Sequence, residues 1–193
     1  MPLQPETYYT PEEYLELERK AEFKSEYHDG EIFAMGGASP RHVLIVTNVA
    51  SELRNQLKSR PCTVYSTDLR VRVSPKGLYC YPDVVVVCDE PEFADNHNDT
   101  LINPTLIVEV LSKPTKDYDR GEKFEQYRGL KSFREYVLIA QDKHHVEHFI
   151  RQPDNRWILS ETNRIEDAME LVSIECNLAL SEVYDKVNLL KAE

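Results

Sequence analysis

Two apolar runs stand out along this chain, Val84-Val85-Val86-Val87 and Leu106-Ile107-Val108-Glu109-Val110-Leu111. Each has one carboxylate, Asp83 at the entrance to the first and Glu109 inside the second. Continuous apolar runs of this length belong to strands covered on both faces, so both are predicted as central strands. A carboxylate in such a strand must be paired, protonated or bound to a metal, because desolvating a lone charge is costly.

The remaining pattern supplies the neighbours of these strands. Thr10-Pro11-Glu12-Glu13 is a capping box with Pro at the first helical position, predicting a short N-terminal helix. Glu26 to Met35 reads as a hairpin turning at Asp29-Gly30 and ending at Gly36-Gly37. Ser39-Pro40 caps a helix whose Val43, Val46, Ala50, Leu53 and Leu57 are predicted to share one face. Residues 62–73 are strand-like, with Arg70 and Arg72 alternating against Val71 and Val73, and Ser74-Pro75-Lys76-Gly77 is a turn. The segment 90–103 is polar and predicts a surface loop. Asp119 and Glu122 mark the start of a helix that buries Phe124 and Tyr127, and a strand follows at 135–140. Edge strands are predicted near 145–150 and 156–161, with a closing helix from Ser181 to Leu190. The order predicts an α/β (α+β) fold, a mixed β-sheet flanked by helices behind an N-terminal helix and hairpin.

At 193 residues the chain fits one domain over 1–193. No apolar stretch approaches the ~20 residues that span a membrane. The N-terminus, MPLQPETYYT, lacks the basic and apolar regions of a signal peptide, so the expected location is the cytoplasm. Cys62, Cys80, Cys88 and Cys176 have no CxxC spacing, which argues against zinc and thioredoxin-like chemistry and predicts buried free thiols.

The net charge of −11 opposes a nucleic-acid partner when taken over the whole chain. Its distribution does not. Residues 41–76 carry Arg41, Arg54, Lys58, Arg60, Arg70, Arg72 and Lys76 against Glu52 and Asp68. Residues 113–134 carry Lys113, Lys116, Arg120, Lys123, Arg128, Lys131 and Arg134 against four acids. Both basic segments flank the carboxylate strands, which suits an anionic substrate, although charge alone favours ordinary solvated faces.

Hydrolysing a phosphodiester needs a cation to stabilise developing negative charge and a group that makes water nucleophilic. Mg²⁺ prefers one or two carboxylates plus water and substrate oxygens, and Asp83 and Glu109 supply that pair if their strands are neighbours. Tyr81-Pro82-Asp83 followed by Glu109-Val110-Leu111 resembles the PD-(D/E)xK signature of restriction-endonuclease-like nucleases. More closely, YTPEEYLELE, EYHDGEIFAMGGASPRH, YPDVVVV, IVEVLSKPTKDYDRGEKFEQYR and EYVLI resemble, in that order over roughly residues 8–140, the bacterial Uma family of restriction endonucleases.

The resemblance implies an Mg²⁺- or Mn²⁺-dependent endonuclease acting on DNA as a homodimer. Asp83 and Glu109 would bind the metal, with the Val110 carbonyl completing the shell. Leu111 stands where the motif expects lysine, and Lys123 on the following helix matches the displaced residue. Glu31 matches a further acidic position. His42 matches a position able to meet a phosphate, and Lys113, in the turn, is a second substrate-binding candidate. The alternative of another class is an inactive nuclease-fold module that binds nucleic acid or protein, suggested by the displaced lysine and the acidic balance. His144, His145 and His148 read as surface residues.

Overall fold

The computed structural model describes residues 8–74 and 77–189. Helix α1 (Pro11–Glu18) starts at Thr10, whose side chain accepts from the Glu13 amide while Glu13 reaches back to the Thr10 amide. Strands β1 (Ser25–His28) and β2 (Glu31–Ala34) then form the expected hairpin. Its turn has positive φ at Asp29 (47°) and Gly30 (101°), which only a residue without Cβ adopts freely at the second position. A Cβ on Gly30 would also lie 2.6 Å from the Tyr8 ring.

Helix α2 (Pro40–Gln56) is capped by Ser39, whose hydroxyl accepts from the His42 amide. Its buried stripe is Ile45, Val46, Val49 and Leu53, with Leu57 just beyond. The expected stripe was offset, since Val43 is 51% exposed. Val46, Leu53 and Leu57 are buried as expected and Ala50 packs beside them, so packing against the sheet turns the stripe only enough to take Ile45 and Val49 in place of Val43.

Strands β3 (Cys62–Ser66), β4 (Arg70–Arg72), β5 (Tyr79–Cys80), β6 (Val84–Cys88), β7 (Thr100–Leu101) and β8 (Leu106–Leu111) follow. The connection from β8 continues as α3 (Lys116–Tyr118), a π-helical turn (Asp119–Lys123) and α4 (Phe124–Tyr127). Strands β9 (Glu135–Ala140), β10 (Val146–Arg151), β11 (Trp157–Thr162), β12 (Ala168–Leu171) and β13 (Cys176–Ala179) complete the sheets, and α5 (Leu180–Val183) follows them. A six-stranded sheet runs β11-β10-β9-β8-β6-β3, antiparallel except for the β8–β9 pair. A five-stranded sheet runs β2-β1-β5-β4-β7, and β12–β13 form a separate hairpin.

Residue parity along β6 and β8 divides the core in two. Val84, Val86, Leu106, Val108 and Val110 face α2 and the β12–β13 hairpin. Val85, Val87, Ile107 and Leu111 face the second cluster, with Val71, Cys80, Phe124 and Tyr127. A third, smaller cluster stacks Tyr14 on Tyr27 at 5.1 Å, with Tyr79 edge-on, and seats α1 against the hairpin.

Several expectations are corrected. Cys62 and Cys88 form a disulfide, because β3 and β6 place them directly opposite each other; Cys80 and Cys176 are the free buried thiols. Arg70 is not an outward-facing partner of Val71 but is 3% exposed, since β4 lies inside the five-stranded sheet. Asp119 does not begin the helix; the chain turns helical at Lys116, which leaves Asp119 buried in the π turn. His148 is buried, its Nε2 2.7 Å from Glu135 Oε2, because β10 lies inside the six-stranded sheet between β9 and β11. The closing helix is shorter than expected at four residues, and Leu190 lies outside the described residues. So do Pro75 and Lys76 of the predicted turn.

Candidate active site

The antiparallel register Val84↔Val108 and Val85↔Ile107, continued by one pair, sets Asp83 directly opposite Glu109 on the same face of the sheet. Like charges in that relation destabilise a sheet, so the pair is a cost that only a compensating charge justifies. The two are joined through the backbone. The Val110 amide donates to Asp83 Oδ2 at 2.7 Å, and the Asp83 amide makes a long 3.4 Å contact with Glu109 Oε2.

The compensating charge comes from the helix after β8. Lys123 Nζ lies 3.0 Å from Glu109 Oε1, 3.1 Å from Glu26 Oε1 and 3.7 Å from Asp119 Oδ1. Asp119 and Lys123 bound the π-helical turn, a local distortion frequent at functional sites. Glu109 is 4% exposed and Lys123 5%. Burial pushes the Glu109 carboxyl up to about 8, against the opposing pull of Lys123. Burial alone would lower Lys123, but the surrounding acids outweigh it and hold the ammonium charged well above the ordinary lysine range. Burial likewise raises Asp119.

The outer side of the cluster is more open. Asp83 and His42 side chains are each 16% exposed, and His42 Nε2 is 2.9 Å from Asp83 Oδ1. Burial opposes charge on this ring, yet the Asp83 carboxylate, Asp119 and the Val110 backbone together raise its pKa above the usual histidine value. α2 presents His42 from its first turn, next to Ser39, whose hydroxyl meets Gln141.

The structure thus brings Asp83, Glu109, Val110, Lys123 and His42 together. It does not bring Glu31 or Lys113 to them. Glu31 is exposed at the turn end of the hairpin opposite His28, and Lys113 is exposed in the turn after β8. The hairpin's acid in the cluster is Glu26, which also accepts a 3.3 Å contact from the Tyr81 amide. Glu26 and Glu31 point to the same face, because Glu26 shares it with His28 and His28 pairs with Glu31. They differ in strand, β1 inside the sheet and β2 at its edge, and by roughly 7 Å along the ladder. Strand parity signalled both acids equally, so sequence alone had no means of choosing between them.

The basic expectation is partly redirected. Arg60 is spent on the Ile174 and Glu175 carbonyls, Arg70 on Asp99, Thr100 and Tyr81, and Arg120 on Glu147.

Among the described residues no group of three or more His, Cys, Asp or Glu side chains is disposed as a metal cage. The donor set present is the other kind. Two facing carboxylates, of which Asp83 is 16% exposed, suit a hard divalent cation that takes its remaining oxygens from water and substrate. Three acids, Glu26, Glu109 and Asp119, gather around Lys123, and Asp83 stands opposite Glu109 beside them.

The fold is thus a mixed sheet flanked by helices, whose central strands carry opposed carboxylates beside a lysine from the next helix. The chain belongs to the Uma2 family, described as "Putative restriction endonuclease", whose model matches residues 11–181. Two uncharacterized proteins of Synechocystis sp. are similar to it. One, sll1609, is 38% identical over 152 residues, covering 79% of this chain and 86% of its own. The other, slr1290, is 33% identical over 175 residues, covering 91% and 90%. Among solved structures, the fold matches that of "a putative nuclease belonging to DUF820" from Anabaena variabilis. The TM-score is 0.77 at 18% identity, over 93% of this chain and 99% of that one. Family membership supports a nuclease, a hydrolase of the restriction-endonuclease type. Among the described residues no helix is long and apolar enough to cross a membrane.

Proposed function

We propose that the protein is a Mg²⁺-dependent endonuclease, accepting Mn²⁺, that hydrolyses DNA phosphodiester bonds. The observation that carries this reading is the register-opposed pair Asp83 and Glu109 with Lys123 Nζ 3.0 Å from Glu109. Asp83 and Glu109 would hold the cation, aided by the Val110 carbonyl. Once bound it would stabilise negative charge on the phosphoryl oxygens and acidify water.

The chain's own residues do the rest. Lys123 is held charged, so it acts as a donor that orients the attacking water and balances charge, rather than as a base that takes its proton. The water oxygen forms the new P–O bond while the bond to the leaving oxygen breaks; the water gives a proton to solvent and the leaving oxygen takes one from solvent, giving a phosphate monoester and an alcohol. His42, 2.9 Å from Asp83 at the less buried side, would donate to a phosphate oxygen once substrate competes with Asp83. DNA contacts would be mainly to phosphates, through basic side chains of 41–76 and 113–134 that are not spent internally. A homodimer would present two such sites to the two strands of a duplex.

The test is nicking of supercoiled plasmid with Mg²⁺ or Mn²⁺, against EDTA and against Glu109→Gln. Metal-dependent nicking lost in the variant supports the reading. Equal cleavage by both proteins removes Glu109 from the mechanism. A folded wild type that neither nicks nor binds Mn²⁺ returns the protein to the class of non-catalytic binding modules.

A further inference from the structure

Glu109 uses its two oxygens unequally. Oε1 receives Lys123 Nζ at 3.0 Å and also the Tyr127 hydroxyl, which donates at 3.1 Å. Oε2 has only the long 3.4 Å contact from the Asp83 amide. Lys123 and Tyr127 stand four residues apart on one helical face, so a single segment delivers both donors to the same oxygen. Tyr127 is fully buried and cannot touch a substrate. Its hydroxyl is met from behind by Cys80 Sγ at 3.0 Å, and its ring is wedged against Phe133 and Tyr136 at centroid distances of 5.6 and 5.5 Å.

We infer that Tyr127 is a positioning residue: with Lys123 it occupies Glu109 Oε1 and so reserves Oε2, the oxygen beside Asp83, for the cation. The inference rests on the reading that Asp83 and Glu109 hold a divalent ion. It deepens that reading by assigning a one-oxygen role to Glu109 and a task to a tyrosine remote from substrate. A carboxylate fixed on one side loses less freedom when an ion arrives on the other. Groups that orient a ligand in this way typically change metal affinity or activity by roughly 10–100-fold when removed.

The experiment is Mn²⁺ calorimetry on the full chain, comparing wild type, Tyr127→Phe and Tyr184→Phe. Tyr184 is the matched control: its buried hydroxyl donates to the Ala140 carbonyl at 2.9 Å, outside the cluster of acids. Tyr127→Phe is expected to weaken Mn²⁺ binding by roughly 10–100-fold, and Tyr184→Phe to leave it unchanged despite a similar lost hydrogen bond. Equal weakening in both, or none in Tyr127→Phe, overturns the inference while the two-carboxylate reading stands. Absence of Mn²⁺ binding by wild type overturns that reading, and the inference with it. Should Tyr127→Phe fold poorly, the Mn²⁺-minus-apo infrared difference spectrum of wild type, referenced to Glu109→Gln, serves instead. A wide separation of the Glu109 carboxylate bands marks one-oxygen ligation and supports the inference; a narrow separation marks two-oxygen ligation and overturns it.

Discussion

Lys123 Nζ sits 3.0 Å from Glu109 Oε1 while also facing Glu26 and Asp119, so one buried cation is shared among three carboxylates. Lys123→Met should therefore separate charge balance from chemistry. Nicking should fall by about 10²–10⁴-fold, the range for loss of a positioned proton donor or acceptor. Mn²⁺ affinity should change far less than nicking, because losing the ammonium's competing charge offsets losing its hold on Glu109 Oε1. Nicking rates and calorimetry on the same preparations check this. Metal binding lost together with activity would show that the lysine builds the site rather than serving the reaction.

A second expectation follows from the Glu109 carboxyl, which burial lifts from 4.5 to about 8 against the pull of Lys123. A raised carboxyl pKa means that the folded state keeps a proton the unfolded state releases. Its contribution is therefore complete below about 4.5 and lost as pH rises through about 8. Glu109→Gln has no such proton to lose. In EDTA, the melting temperature of Glu109→Gln relative to wild type should climb between these two pH values and level off above them. A difference independent of pH would mean that Lys123 keeps Glu109 ionised throughout.

The sequence was most legible where local chemistry and burial agree. Thr10 to Glu13 caps a helix in isolation, Asp29-Gly30 turns a hairpin in isolation, and the apolar runs around Val84 and Val108 have no other low-energy home than a covered sheet. It was least legible where the answer depended on what packs above a residue. Arg70 alternates with apolar neighbours as an outward-facing residue does, and His148 stands in the polar run His144-His145-Val146-Glu147-His148; only the packing around β4 and β10 buries them. The β12–β13 hairpin went unseen because its outward positions are as polar as a loop. The position of Lys123 carried a signal in the family resemblance, but its reach to Glu109 depends on the π turn at Asp119–Lys123, which no sequence periodicity announced.

The hairpin offers a direct comparison between two acids. Glu26 contacts Lys123 Nζ at 3.1 Å, and Glu31 is exposed at the turn. Glu26→Gln is expected to reduce nicking by about tenfold or more, since neutralising it shifts Lys123 toward its remaining acid partners and alters the charge that attracts the cation. Glu31→Gln should change the rate by less than about twofold, as surface substitutions do. The reverse order would place the functional acid at the hairpin tip and require the hairpin to move when substrate binds.

The last expectation concerns how the opening strand of the site is held. Arg70 is 3% exposed; its Nε donates to Thr100 Oγ1 at 3.0 Å and its Nη1 to the Tyr81 hydroxyl at 2.8 Å. Its Nη2 lies 3.0 Å from Asp99 Oδ2 but away from hydrogen-bonding direction, so that contact is chiefly charge on charge. The Tyr81 hydroxyl donates in turn to Glu18 Oε1 at 2.9 Å, and Arg19 holds Asp99 from the other side at 2.7 Å. This network ties α1 and the loop before β7 to Tyr81, two residues ahead of Asp83. The Arg19 hydrogen bond, set against partial burial, holds the Asp99 carboxyl well below the usual range. A depressed carboxyl pKa contributes stability that is present above about 3.8, the unperturbed value, and is lost as pH falls below it. Asp99→Asn should therefore cost about 1–2 kcal/mol at pH ~7, a modest figure because Asp99 is partly solvated. The gap between the urea midpoints of the two proteins should narrow at pH ~3.5. An equal gap at both values would mean that shape at Asp99, and not its charge on Arg70 and Arg19, is what fastens this end of the site.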